Sequence, residues 1–287
     1  MFEPHLPAPV ESLNDERLDR AGVTLRLQRD DLIHSEIPGN KWRKLHLNLA
    51  AATEAGHSTL LTFGGAFSNH LRAVAAAGRI FGFATIGIVR GEEHLPLNPS
   101  LRYCADQGMT LAYLDRTTYR TKRDPAVEAE LRRRWGEFFL IPEGGSNPLA
   151  VRGCLPIAAG LGGADVICCP VGTGGTLAGL AAGLAGHQRA IGFAVLKPGD
   201  FLTAEVEALQ RATFGERSGH WRVESRYHFG GYAKSTPALA AFIEDFHTRH
   251  GLHLDRVYVA KMLAGVFDLV ESGYFPPGTR LAAIITG

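Results

Sequence analysis

Residues 165–186 read DVICCPVGTGGTLAGLAAGLAG: an apolar run, a glycine turn and a second apolar run, with glycine at 172, 174, 175, 179, 183 and 186. From residue 166 to residue 188 there is no Asp, Glu, Lys or Arg, so composition alone resembles a membrane span. Pro170 and the six glycines argue against one. The stretch reads instead as a strand buried on both faces, a glycine loop and a tightly packed helix.

Working outward, the same alternation recurs from residue 59 onward, which is the pattern of parallel strands joined by crossover helices and places the chain in the α/β class. Strands are expected at 59–63, 84–89, 109–114, 138–141, 165–170, 191–195 and 281–285. Helices are expected at 41–55, 67–81, 98–107, 124–134, 147–161, 174–186, 202–212, 236–250 and 259–272. Asn147 before Pro148 is a good helix start, and Pro156 predicts a kink in the helix that follows.

The chain has 287 residues, 45% hydrophobic and 21% charged, with 30 basic residues against 29 acidic and a net charge of +1. That size suits two modest domains or one large α/β unit, and the balance excludes a disordered polyelectrolyte. It also argues against nucleic acid as a partner, because phosphate binding needs concentrated positive charge. Arginines 116, 120, 123, 132, 133 and 134 are interleaved with acids at 115, 124, 128, 130 and 137, the mark of a solvated helix face. The four cysteines include the adjacent pair Cys168 and Cys169, whose side chains would point to opposite faces of a strand, poor geometry for a disulfide or a metal. The N-terminal MFEPHLPAPVESL lacks a basic start followed by an apolar core, so a cytoplasmic location is expected.

Several residues break structural rules. Lys41, Arg43 and Lys44 fall in the first turn of the helix after the Pro38-Gly39-Asn40 turn, where the helix dipole disfavours cations by about 0.3–1 kcal/mol each. A nearby anion, an amine kept easily deprotonated for nucleophilic work, or a plain solvated helix start would each account for them. Segment 62–72, TFGGAFSNHLR, is a strand-to-helix elbow. Ser68 and Asn69 suit either helix capping or a carboxylate or phosphate ligand, and His70 either a substrate or a backbone carbonyl. In VGTGGTLAG, 171–179, glycine backbone and the hydroxyls of Thr173 and Thr176 form a phosphate cradle at a helix start. Leu177 replaces the last glycine of a dinucleotide fingerprint and no Lys-Ser/Thr pair completes a P-loop, so the phosphate belongs to something other than NAD or ATP. PEGGSNP at 142–148 is a second glycine turn before a helix, and Tyr232, Tyr258, Lys234 and Lys261 are further polar candidates.

Taken in order, GNKWRKL (39–45), FGGAFSNH (63–70), PEGGSNPLAVRG (142–153), PVGTGGTLAG (170–179) and VYVAKMLAGV (257–266) resemble the 1-aminocyclopropane-1-carboxylate (ACC) deaminase and D-cysteine desulfhydrase family of fold-type II pyridoxal-phosphate enzymes. The resemblance runs from about residue 26 to the C-terminus. It implies two open, mostly parallel twisted sheets flanked by helices, as in tryptophan synthase β. It further implies a large cofactor-binding domain of residues 1–44 and 142–287, a small α/β domain of residues 45–141, and a homodimer. The implied cofactor is pyridoxal 5'-phosphate, held covalently by Lys41 as a Schiff base, with Lys44 neutralising its phosphate and Gly172, Thr173, Gly174, Gly175 and Thr176 cradling it. Asn69 would bond the cofactor's phenolic oxygen, and Ser68 would assist proton transfer near a small amino-acid substrate. His70 and Tyr232 would line the substrate's side, and Tyr232 and Tyr258 match two active-site tyrosines.

Departures from the family pattern bear on substrate. ACC deaminases carry glutamate after the VY pair, where this chain has Val259, and leucine near the C-terminus, where this chain has Thr286, as desulfhydrases do. Desulfhydrases, however, usually have threonine after VY. Thr286 would bond the pyridine nitrogen. The resemblance thus implies a lyase or deaminase, with D-cysteine or a related β-substituted amino acid ahead of ACC. A non-catalytic phosphate-ligand protein and a β-replacement synthase are the remaining alternatives.

Overall fold

The computed structural model describes residues 4–286; Met1, Phe2 and Glu3 of the N-terminal stretch and the final Gly287 lie outside the described residues. The strands are β1 Val10–Leu13, β2 Thr24–Gln28, β3 Thr59–Gly64, β4 Ala84–Arg90, β5 Met109–Leu114, β6 Phe139–Ile141, β7 Val166–Val171, β8 Arg189–Ala194, β9 Trp221–Glu224 and β10 Arg280–Ile284. The helices are α1 Glu16–Ala21, α2 Asn40–Glu54, α3 Asn69–Phe81, α4 Pro99–Asp106, α5 Arg116–Arg120, α6 Pro125–Trp135, α7 Pro148–Cys154, α8 Gly175–Ala182, α9 Phe201–Phe214, α10 Pro237–His250 and α11 Val259–Glu271.

Two sheets result, one ordered β1-β2-β10-β7-β8-β9 and the other β5-β4-β3-β6. Every pairing is parallel except β1 with β2. Helices cover both faces of each sheet, which is why the central strands are apolar throughout instead of alternating. In β7 the alternation divides two cores: Val166 and Cys168 pack with α11, and Ile167, Cys169 and Val171 pack with α7 and α8. The adjacent cysteines therefore face opposite ways, and all four cysteines are free and buried. In the smaller sheet, Leu60 packs toward α2 and α3, and Leu61 and Phe63 toward α6.

All seven expected strands form, each within two residues of the expected bounds. Strands β1, β2 and β9 and helices α1 and α5 were not foreseen; β1 and β9 are the outer strands of the larger sheet, where exposure on one side dilutes the apolar signal. Asn147 caps α7 as expected, its side chain accepting from Ala150 N at 2.9 Å. The helix expected over 147–161 ends at Cys154, and two 3-10 turns, Leu155–Ile157 and Ala159–Leu161, replace the predicted kink. Pro156 has no N–H to give and its ring clashes with the preceding turn. Helix α8 likewise stops at Ala182, short of the expected 186, where Gly183 takes over the last carbonyls. Among the described residues no helix is long and apolar enough to cross a membrane.

Candidate active site

The carboxyl ends of β3, β4, β6, β7 and β10 all open onto one cavity of about 630 Å³ between the two sheets. This is the crevice where open α/β sheets bind ligands. Lys41, Ser68, Asn69, Thr173, Tyr232 and Tyr258 all line it, as do Lys44, His70, Gly172, Gly174, Thr176 and Thr286. Of the residues singled out in the sequence, Gly175 sits just behind the wall, and Lys234 and Lys261 lie away from it. A shallower depression lined by Asp165, His187 and Thr279 lies at the opposite, amino ends of β7 and β10.

The three cations at the start of α2 meet three different fates. Arg43 is buried in a two-pronged ion pair with the fully buried Asp30, both contacts at 2.7 Å, so its charge serves the fold. Lys44, 4% exposed, donates to Gly144 O at 3.0 Å and Ser146 Oγ at 3.4 Å, beside the glycine loop. Lys41 faces the cavity and donates to Asn40 Oδ1 at 3.0 Å. Crowding by protein, and secondarily the charge of Lys44, depresses its pKa to about 7. At neutral pH a large share of Lys41 is the free amine.

The start of α2 is held by a close backbone approach. Gly39 takes φ of +62°, and a Cβ there would come within 1.4 Å of Thr286 O, so only glycine lets the helix begin against the end of β10. Asn40 then bridges Lys41 to the glycine loop, its Nδ2 donating to Thr176 Oγ1 at 2.8 Å.

At the start of α8, Gly172, Thr173 and Gly174 line the cavity and turn the chain into the helix, with Gly174 at φ of +84°, so the unpaired amides of the first helical turn lie beside it. A Cβ at Gly175 would lie 2.8 Å from Ser146 Oγ and 3.2 Å from Lys44 Nζ, so the glycine keeps open the space that these groups share. Thr173 Oγ1 and Ser146 Oγ are 2.6 Å apart. Backbone donors, three hydroxyls and one buried ammonium thus converge, a donor set that fits a dianionic phosphate. Ser146, Gly144 and Asn40 were missed in the sequence as individual residues. The PEGGSNP turn and the residue beside Lys41 were the available signals.

On the other wall, Ser68 caps α3, accepting from Leu71 N at 3.2 Å, which leaves its own O–H free to donate. Asn69 is the first residue of α3 and half-buried. His70 is 2% exposed, bonds Thr62 Oγ1 through Nε2 at 2.8 Å, and has the backbone of Pro142 as a further hydrogen-bond partner. Burial, reinforced by Lys41 and Lys44, holds its pKa well below the ordinary histidine range, so it is neutral. Tyr258 and Tyr232 meet edge to face with centroids 6.1 Å apart and hydroxyls 3.4 Å apart, and Lys41 Nζ lies 5.9 Å from the Tyr258 ring centre. Burial first, then Tyr232, raises the Tyr258 pKa well above its ordinary value, so its phenol stays protonated. The carboxylates at the cavity mouth are already engaged: Glu143 with Lys122 at 3.0 Å and the Tyr119 hydroxyl at 2.9 Å, and Glu205 with Arg123 at 3.0 Å.

The family profile described as "Pyridoxal-phosphate dependent enzyme" matches residues 3–287. A protein named putative 1-aminocyclopropane-1-carboxylate deaminase, from Pyrococcus furiosus, is 33% identical over 285 residues, covering 93% of this chain and 85% of that protein. A D-cysteine desulfhydrase of Klebsiella pneumoniae is 28% identical over 301 residues, covering 98% and 91%. The crystal structure of an ACC deaminase homologue matches with a TM-score of 0.84 at 28% identity, covering 100% of this chain and 90% of that one. The processed form of threonine deaminase isoform 2 from Solanum lycopersicum shares the fold, with a TM-score of 0.67 at 18% identity, covering 98% and 78%.

Proposed function

This chain belongs to the pyridoxal-phosphate dependent enzymes, and from that membership we propose that it is a lyase or deaminase of a small amino acid, with D-cysteine or a related β-substituted amino acid as its leading substrate. When bound, pyridoxal phosphate draws electrons from the substrate's Cα, which acidifies the α-proton and lets a β-substituent leave. The Gly172–Thr176 loop, Lys44 and Ser146 would hold its phosphate, and their convergent donors support that assignment. Lys41, as a free amine, would hold the aldehyde and would be placed to take a proton from the substrate's Cα. Asn69 is assigned to the phenolic oxygen. Ser68 has an O–H to offer to the substrate, and Tyr258, kept protonated, donates toward a substrate or leaving group, with Tyr232 beside it.

The ranking of substrates is carried by what stands where the two branches of the family differ. Val259 is 1% exposed and packed in the core, and Thr286 lines the cavity. A hydroxyl at the pyridine nitrogen leaves it less protonated than a carboxylate would, which suits β-elimination better than cyclopropane opening. D-Cysteine and water would give pyruvate, ammonia and hydrogen sulfide as the Cα–H and Cβ–S bonds break. The relatives named putative ACC deaminases support the second reading, ring opening of ACC to 2-oxobutyrate and ammonia. Parallel assays of the purified, cofactor-loaded protein with D-cysteine and ACC separate the two. Sulfide and pyruvate from D-cysteine are expected, and turnover of ACC with D-cysteine inert would reverse the ranking. Borohydride reduction followed by peptide mapping should place a pyridoxyl group on Lys41; its absence would favour a non-catalytic phosphate-ligand protein.

The same reading assigns residues 1–44 and 142–287 to a large cofactor-binding body and 45–141 to a smaller one, in keeping with β3 to β6 forming their own sheet. It also takes the enzyme to be a cytoplasmic homodimer, a setting that suits four unpaired cysteines.

A further inference from the structure

Lys261, in α11, is 0% exposed and does not reach the cavity. Its Nζ donates to His228 O at 2.9 Å and Gly231 O at 2.7 Å, and among the described residues it makes no ion pair with a carboxylate. Burial lowers its pKa, and the charge of Asp255, which is not in contact with it, offsets part of that effect. An ammonium buried with no carboxylate in contact is costly, and an apolar side chain would fill the same volume without that cost. The two carbonyls it holds belong to the segment between β9 and α10 that carries Tyr232.

That segment is strained. Phe229, Gly230, Gly231 and Ala233 take φ of +48°, +94°, +111° and +55°, and two of these four residues bear a Cβ that disfavours such angles. Tyr232 sits inside the strained stretch with 38% of its surface exposed, so packing alone does little to hold it. Charged donors make hydrogen bonds about twice as strong as neutral ones, and two of them grip the turn on the amino side of Tyr232. Lys261 lies one helical turn beyond Tyr258 on α11. One tyrosine of the pair is thus fixed to α11 by the chain and the other by this lysine.

We propose that Lys261 is a positioning residue whose buried ammonium clamps the 228–231 turn to α11 and so sets Tyr232 against Tyr258 at the wall of the active site. The inference rests on the reading above, in which Tyr232 serves the reaction. Lys261→Met keeps length and volume and removes the donors. It is expected to lower kcat about 10–100-fold while KM moves less than about threefold and the visible absorbance of bound cofactor is retained. Amide exchange across residues 226–234 should quicken at least about tenfold, with β7 unchanged. In a Tyr232→Phe background, itself slowed, adding Lys261→Met should cost less than about twofold more, because both changes remove one function.

Equal losses in both backgrounds or unaltered exchange over 226–234 would each overturn the clamp, and full activity in Tyr232→Phe would overturn the role of Tyr232 in the reaction and with it the positioning function of Lys261. If Lys261→Met does not fold, Lys261→Gln, which keeps an N–H donor, goes through the same cycle. Failure of both to fold would make Lys261 a requirement of the whole fold and sink the proposal. If the wild-type enzyme turns over neither D-cysteine nor ACC, the functional reading fails, and amide exchange still decides whether the clamp exists.

Discussion

Lys41 and Lys44 stand one helical turn apart, yet their surroundings set them different tasks. Lys41, depressed to about 7 chiefly by burial, gains its neutral form as pH rises through that value. The rate at which cofactor-free protein takes up pyridoxal phosphate, followed by its visible absorbance, should therefore climb to a plateau above about pH 8 and fall nearly tenfold per unit below about pH 6. A flat profile across that range would contradict the assignment. Linkage gives a second consequence with a definite sign. The folded cofactor-free protein binds fewer protons at Lys41 than the unfolded chain between about 7 and 10.5, so this group's contribution to stability improves as pH rises across that window. Lys44 keeps its hydrogen bonds to Gly144 and Ser146 and faces the Gly172–Gly175 loop proposed to hold the phosphate. Lys44→Met should weaken cofactor retention by about 10–100-fold, read by equilibrium dialysis, while leaving the melting temperature of the cofactor-free protein nearly unchanged, because the substitution also relieves a buried charge.

At the scale of elements, α2 is positioned by contacts that do no chemistry. Asp30, just after β2, accepts both prongs of Arg43 and a hydrogen bond from Gln28 Nε2 at 2.8 Å, and its backbone carbonyl accepts from Gly39 N at 2.9 Å. One buried carboxylate thus ties the end of β2 to the first turn of α2 and so to Lys41. Arg43→Met would leave that carboxylate without its cation, a change that typically costs about 3–5 kcal/mol. The expected drop in melting temperature is at least about 6 °C, measured by calorimetry. The basic helix start that stood out in the sequence was therefore two features in one. Arg43 answers to the fold, and Lys41 and Lys44 to the site. Spacing could not separate them, because Asp30 lies 13 residues away and Gly144 lies 100 residues away from their respective partners.

Over the whole molecule, the cavity is walled by two sheets that meet along their carboxyl ends, and its mouth is crossed by the exposed pair Arg123–Glu205 between the α5–α6 turn and α9. Arg123 retains 77% side-chain exposure, so solvent and salt screen the pair. Arg123→Ala should change stability by less than about 1 kcal/mol, within a few degrees of melting temperature; a larger loss would mean that this contact holds the two sheets together. The α/β class, the seven principal strands and the glycine loop before α8 could be read from the chain because each depends on local order: a buried parallel strand is apolar end to end, and a loop that turns tightly into a helix start is rich in glycine. Lys41, Ser68, Asn69 and the glycine loop were likewise legible as motifs. Their meeting around one cavity was not, nor was the recruitment of Asn40 by Thr176 across 136 residues or of Lys261 by the turn before Tyr232. Those pairings follow from which strand ends adjoin and which helix starts face them, and a hydrogen bond between distant residues leaves no periodicity in the sequence to find.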